Sequence, residues 1–104
     1  MIQQQTAEEL LEIYGSPVYV YQGERLRKTI ESITQSISYP YTEFKFASVT
    51  NGNIHLLKIF NHSGWGLHAN TPGDIYLGLK AGFDPKKIVY SGSNLNPKEM
   101  AQVL

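Results

Sequence analysis

Few residues in this chain could do chemistry. Cysteine is absent, histidine occurs three times, and nine basic side chains balance nine acidic ones. A thiolate metal site, a cysteine nucleophile and a disulfide framework are therefore excluded together. His55 and His62 stand seven apart on one amphipathic stretch and would need a third ligand to hold a metal, so they read as solvated helix positions. His68 lies in a short apolar run. Its imidazole could act as a general base or a ligand-facing donor, although such a histidine more commonly just hydrogen-bonds its surroundings. Asn51-Gly52-Asn53 could present backbone amides to an anion at a helix start. The same residues are what any strand-to-helix turn needs.

These groups are positioned by the stretch Phe44 to Asn53 and by the apolar pattern that continues from it. Side chains alternate from Phe44 to Val49, so Phe44, Phe46 and Ser48 share one face of a strand and Lys45, Ala47 and Val49 the other. Asn51-Gly52-Asn53 breaks that strand. Ile54, Leu57 and Phe60 then recur at helical spacing, widened by Leu56 and Ile59, which predicts a helix returning over a sheet.

The same unit repeats on both sides. Thr6-Ala7-Glu8-Glu9 reads as a capping box opening a helix through Leu10, Leu11 and Ile13 that Gly15 ends. Pro17 to Tyr21, rich in β-branched and aromatic residues, predicts a strand. Leu26, Ile30, Ile33 and Ile37 form the clearest amphipathic helix, between Gly23 and Ile37. Trp65 to Ala69 predicts a short strand after Gly64. Thr71, Pro72 and Asp74 open a helix whose expected buried side is Ile75, Tyr76, Leu79 and Ala81, and Gly82 closes it. Ile88 to Ser91 predicts another strand, and Asn96-Pro97-Lys98-Glu99 starts a last helix that has only Met100 to Leu104 to continue it.

Strands alternating with helices about every 23 residues imply parallel strands joined by right-handed crossovers. The expected fold is α/β: residues 1–22 form a helix and strand leading in, and residues 23–104 the first three β/α units of a TIM-type (β/α)8 barrel. A whole barrel takes about 250 residues, so the barrel is incomplete as given, and the sheet must be completed by more chain or by assembly. Zero formal charge leaves no footprint for nucleic acid. The start, Met1 to Gln5, has neither a basic region nor an apolar run, and no later segment approaches a membrane span, so the expectation is a soluble, cytoplasmic protein without membrane partners. Tyr19, Tyr21, Tyr39 and Tyr41 read as core and turn packing in the absence of a basic surface. Glycines 64, 66, 73, 78 and 82 contain no phosphate-loop pattern with lysine.

Three phrases, Tyr14-Gly15-Ser16-Pro17-Val18-Tyr19-Val20-Tyr21, the Phe46 to Asn53 stretch, and Gly73-Asp74-Ile75-Tyr76-Leu77-Gly78-Leu79-Lys80-Ala81-Gly82-Phe83, occur in an order and spacing that resemble the amino-terminal part of the diaminopimelate decarboxylase family. The resemblance runs from about Leu10 to Met100. It implies pyridoxal phosphate as cofactor, an alanine-racemase-like barrel, a small amino acid as substrate in lysine synthesis, and a homodimer in the full-length form. The family's Y-A-V-K-A-N aligns with Phe46-Ala47-Ser48-Val49-Thr50-Asn51, which puts Val49 at the position of the Schiff-base lysine. His68 falls at a family aspartate near the cofactor, and Leu95 where many members carry a lysine. The resemblance thus points to Val49, Asn51, His68 and Ser91 as the cofactor-side positions and to no catalytic residue.

That lysine matters because its amine bonds the cofactor aldehyde and can later move protons. Valine can do neither. Lys45 shares Val49's face, but four residues of strand put it about 13 Å away and toward the wrong end. Two functions are compatible with this pattern: an amino-acid decarboxylase-like protein without ordinary Schiff-base catalysis, or a non-catalytic paralogue that uses the barrel to bind pyridoxal phosphate or a protein partner.

Overall fold

The computed structural model describes residues 4–92 and 96–104. In chain order the elements are α1 (Gln4–Tyr14), α2 (Gly23–Ser36), β1 (Lys45–Ala47), α3 (Ile54–His62), β2 (Gly66–Ala69), α4 (Pro72–Ala81), a 3-10 turn (Pro85–Lys87), β3 (Ile88–Tyr90) and α5 (Pro97–Val103). The strands form one parallel sheet in the order β1-β2-β3. Ala47 pairs with His68 and His68 with Val89, one level beyond the pairs of Phe46 with Leu67 and of Leu67 with Ile88.

One face of the sheet carries the core. Leu57 and Leu67 are fully buried, with Ile30, Phe60, Trp65, Ala69, Ala81 and Phe83 around them. The expected alternation in β1 is realised: Phe46 stacks on Phe60 with ring centroids 4.1 Å apart, and Phe44 stacks on Trp65 at 5.3 Å. Aromatic pairs of this kind add to the area they bury, which fixes the angle at which α3 lies across β1. Trp65 is also held by its polar edge. Its Nε1 donates to Thr34 Oγ1 (3.0 Å), and that hydroxyl donates to the Ile30 carbonyl (2.7 Å), tying α2 to the start of β2.

Helix ends follow their local signals. The Asp74 amide donates to Thr71 Oγ1, and the Asp74 carboxylate accepts from the Thr71 amide, a reciprocal cap with Pro72 at the first helical position. Asn53 caps α3 by accepting from the His55 amide, and Asn96 caps α5 by accepting from the Glu99 amide. Gly15, Gly64 and Gly82, with φ of 78°, 85° and 102°, occupy the left-handed region after α1, α3 and α4.

Several expectations are corrected. Helix α1 already includes Gln4, so Thr6 lies inside it and no capping box forms there. Residues 17–21 form no strand and are mostly exposed, since a strand needs a partner and none of the described strands lies beside them. Strand β1 stops at Ala47, leaving Ser48 and Val49 in a turn; β2 begins at Gly66 and β3 ends at Tyr90, each one residue short of the expected span. In α2, Ile30 is buried while Ile33 is exposed, because α3 covers only part of its stripe, and Ile37, expected inside the helix, lies just past its end and is exposed.

The buried side of α4 also differs. Gly78 and Ala81 face the sheet, Ile75 and Leu77 are half-buried, and Tyr76 and Leu79 are exposed. Gly78 is the contact point: a β-carbon there would run into Leu67 Cδ2, so the missing side chain lets α4 approach β2 closely. Gly78→Ala should therefore destabilise by about 1–3 kcal/mol through overpacking, although alanine at an exposed helix site would gain up to about 1 kcal/mol over glycine. The urea midpoint checks the sign. Leu67→Ala, which empties the centre of the same contact, should cost about 2–5 kcal/mol in the same measurement.

Candidate functional site at the carboxyl ends of the strands

Because Ala47, His68 and Val89 stand abreast, the chain leaves the sheet at neighbouring points on its carboxyl side: Val49 lies in the turn after β1, Asn70 just after β2 and Ser91 just after β3. The ladder continues to this level. The Ser48 amide donates to the His68 carbonyl (3.2 Å) and the Ser91 amide to the Ala69 carbonyl (2.9 Å). Alternation places Leu67 and Ala69 in the core beneath the helices, so His68, half-buried, belongs to the opposite face.

Val49 sits in a tight, heavily bonded turn. The Thr50 amide and hydroxyl both donate to the Ala47 carbonyl (3.2 and 2.9 Å), and the Asn51 amide donates to the Ser48 carbonyl (3.1 Å). This bracing leaves the Val49 side chain 67% exposed beyond the end of β1. An exposed valine on a fixed turn offers methyl groups and no proton to exchange.

Asn51 goes elsewhere. Its Nδ2 donates to the Tyr21 hydroxyl (2.9 Å) and its Oδ1 accepts from the Asn53 amide (3.0 Å), so its side chain joins the chain before α2 to the turn before α3. Thus His68 and Ser91 come together with the Val49 turn at the strand ends, while Asn51 braces that turn from outside. Leu95, with Ser93 and Asn94, lies outside the described residues.

Asn70 belongs to this site and was not among the residues singled out from sequence. Its Nδ2 donates to the Ser91 carbonyl (2.8 Å), clamping the end of β2 to the end of β3, and its amide donates to Asp74 Oδ2 (3.0 Å). The signal available in sequence was its place between an apolar strand and the Thr71-Pro72 helix start. With its carboxylate occupied by the Asn70 and Thr71 amides, Asp74 organises the site and does not line it.

Lysine occupies the other end of the sheet. Lys45 pairs with Gly66 in the register and its Nζ lies 3.3 Å from Glu43 Oε2. The two residues help line a cleft of about 270 Å³ that also takes in Trp65 and Lys87. This cleft opens at the amino ends of the strands, where (β/α)8 proteins keep stabilising contacts, whereas their chemistry lies at the carboxyl ends. Lys45 therefore does not substitute for an amine at position 49. Among the described residues no group of three or more histidine or acidic side chains could hold a metal, and no helix is long and apolar enough to cross a membrane.

Comparison with known proteins matches this arrangement. The family described as pyridoxal-dependent decarboxylase, pyridoxal binding domain, matches residues 24–104. Diaminopimelate decarboxylase of Methanothermobacter thermautotrophicus is 36% identical over 90% of this chain and 22% of its own length, and that of Aquifex aeolicus 31% identical over 93% of this chain and 23% of its own. The crystal structure of diaminopimelate decarboxylase from Helicobacter pylori complexed with L-lysine superposes with a TM-score of 0.84 at 26% identity, covering 93% of this chain and 25% of that one. The chain thus spans about a quarter of the length of these relatives, and its parallel β/α units are part of their barrel. With the family's domain matched from α2 to the last residue, the chain belongs to the pyridoxal-dependent decarboxylases, within their pyridoxal-binding domain.

Proposed function

We propose that this chain supplies the opening β/α units of a diaminopimelate-decarboxylase-like barrel and that these units do not support the family's covalent chemistry. The observation that carries the second half is Val49, an exposed aliphatic side chain on a braced turn at the end of β1, where the resemblance puts the Schiff-base lysine. In the natural-length protein the substrate class is a small amino acid, the protein is cytoplasmic, and a homodimer completes the site.

Family membership implies pyridoxal phosphate. When bound, that group supplies an aldehyde that captures amines and a ring that accepts carbanion electrons. The residues at the strand ends fit it only in part. His68, Asn70 and Ser91 bring polar side chains to the same end of the sheet as the Val49 turn, with the Asn70 Nδ2 already given to the Ser91 carbonyl. The covalent linkage does not fit, because no amine stands among them and Lys45 is held at the opposite end beside Glu43. What these side chains can do is orient a ring by hydrogen bonds and pack methyl groups against it.

A specific observation also favours the second reading, a paralogue that binds without catalysis: two positions that depart from the family pattern, Val49 and His68, fall at the same end of neighbouring strands. Borohydride reduction of the natural-length protein with pyridoxal phosphate should leave no adduct on the tryptic peptide Phe46–Lys58. An adduct elsewhere, with decarboxylation of diaminopimelate, would overturn the proposal. In a second experiment Val49→Lys should create an adduct on that peptide. Restored carbon dioxide release would then mark a decarboxylase that lost one group, and ligand binding without release would mark the binding paralogue.

A further inference from the structure

We infer that Asn51 is a site of spontaneous chemical modification, a deamidation that passes through a cyclic imide formed with Gly52. In that reaction the Gly52 nitrogen gives its proton to water and attacks the Asn51 side-chain carbonyl carbon. The new C–N bond closes the imide ring as the bond to Nδ2 breaks, and that nitrogen takes a proton from water and leaves as ammonia. Water then opens the ring at either carbonyl, giving aspartate on the ordinary backbone or isoaspartate with the chain rerouted through the side chain. Only water is consumed, and nothing is oxidised or reduced.

Sequence and geometry converge on this residue. Of the chain's asparagines only Asn51 is followed by glycine, so no β-carbon crowds the attacking nitrogen. Asn51 Oδ1 accepts from the Asn53 amide (3.0 Å), an Asx turn that folds the side-chain carbonyl back over the Gly52 peptide. The same N–H meets the negative charge that gathers on Oδ1 as the nitrogen adds, and a donor placed there favours the addition. The Gly52 amide donates to no carbonyl among the described residues, so its proton is free to leave. Asn70 supplies the contrast at the same end of the sheet. It is followed by the β-branched Thr71, whose amide is held by Asp74 Oδ2 (3.1 Å).

The consequence falls on the turn that carries Val49. Asn51 Nδ2 donates to the Tyr21 hydroxyl (2.9 Å), and a carboxylate has no proton to donate, so aspartate keeps this contact only with the hydroxyl as donor. It also brings a negative charge to the strand ends. Isoaspartate inserts a backbone methylene between the Ser48–Asn51 turn and the Asn53 cap of α3, and leaves a carboxylate on the α-carbon in place of the side-chain amide.

The test is incubation of the natural-length protein in mildly alkaline buffer, folded and in parallel in guanidinium chloride, followed by mass analysis of the tryptic peptides. An isoaspartyl methyltransferase reports the rerouted product. In the folded protein the peptide Phe46–Lys58 should gain the mass of an amide converted to an acid, located at Asn51, at least as fast as in denaturant and as a mixture of both products. The peptide Ile59–Lys80, which carries Asn70, should stay unchanged over the same interval. Gly52→Ala, whose β-carbon would meet Leu77 Cδ1 in ordinary contact at 3.5 Å, should slow the conversion by about tenfold or more. An Asn51 that stays intact in the folded protein while it converts in denaturant would overturn the inference, because the turn would then protect the residue. Conversion at an unaltered rate in Gly52→Ala would overturn it too, since the route would not run through the Gly52 nitrogen.

Discussion

Parallel pairing of β1, β2 and β3 sets Phe46, Leu67 and Ile88 abreast, and the next residues, Ala47, His68 and Val89, abreast on the other face. Strand side chains alternate, so once Leu67 is committed to the contact with α4 at Gly78, the face of every neighbouring residue is decided. A one-residue slip of β2 would bury His68 under the helices and expose Leu67 in its place. The packing of α3 and α4 and the composition of the site are therefore consequences of one register. The aromatic stack of Phe44, Phe46, Phe60 and Trp65 enforces it from the β1 side.

The two ends of the sheet differ in the chemistry they hold. At the amino ends, Lys45 lies beside Glu43 and Gly66, a charged closure that needs no ligand. At the carboxyl ends the turn after β1 is bound to itself and to Tyr21, and the ends of β2 and β3 are clamped by Asn70. Such bracing holds positions 49, 70 and 91 in place before any ligand arrives. Fold and chemistry are separable in barrels, where loops and strand ends vary over a constant core.

The elements were legible where the signal is local. Thr71, Pro72 and Asp74 announce α4, and Asn96 and Pro97 announce α5, because caps act within four residues. The alternation of Phe44 and Phe46 likewise gave the face of β1. What stayed illegible depends on partners distant in sequence. Val18 to Tyr21 have strand-forming side chains, and none of the described strands lies beside them. Gly78 carries no side chain to mark it as the core of α4, so Tyr76 and Leu79 claimed that role on hydrophobicity alone. Of the site, the positions of Val49, His68 and Ser91 at neighbouring strand ends followed from the strand pattern. The Asn70 clamp and the Asn51 contact with Tyr21, thirty residues away, did not, because a polar side chain's partner is not encoded in its own neighbourhood.

The central claim is that ligand recognition belongs to the carboxyl-end face with its apolar position 49 and not to the lysine-lined cleft at the amino end. The most direct measurement is the NMR spectrum of the isotope-labelled natural-length protein during titration with pyridoxal phosphate. Shifts in the Val49 methyls, the His68 imidazole and the Asn70 side-chain amide, with Lys45 and Gly66 unmoved, are the result this account predicts. Shifts confined to Lys45, Gly66 and Lys87 would contradict it and move the binding site to the other end of the sheet.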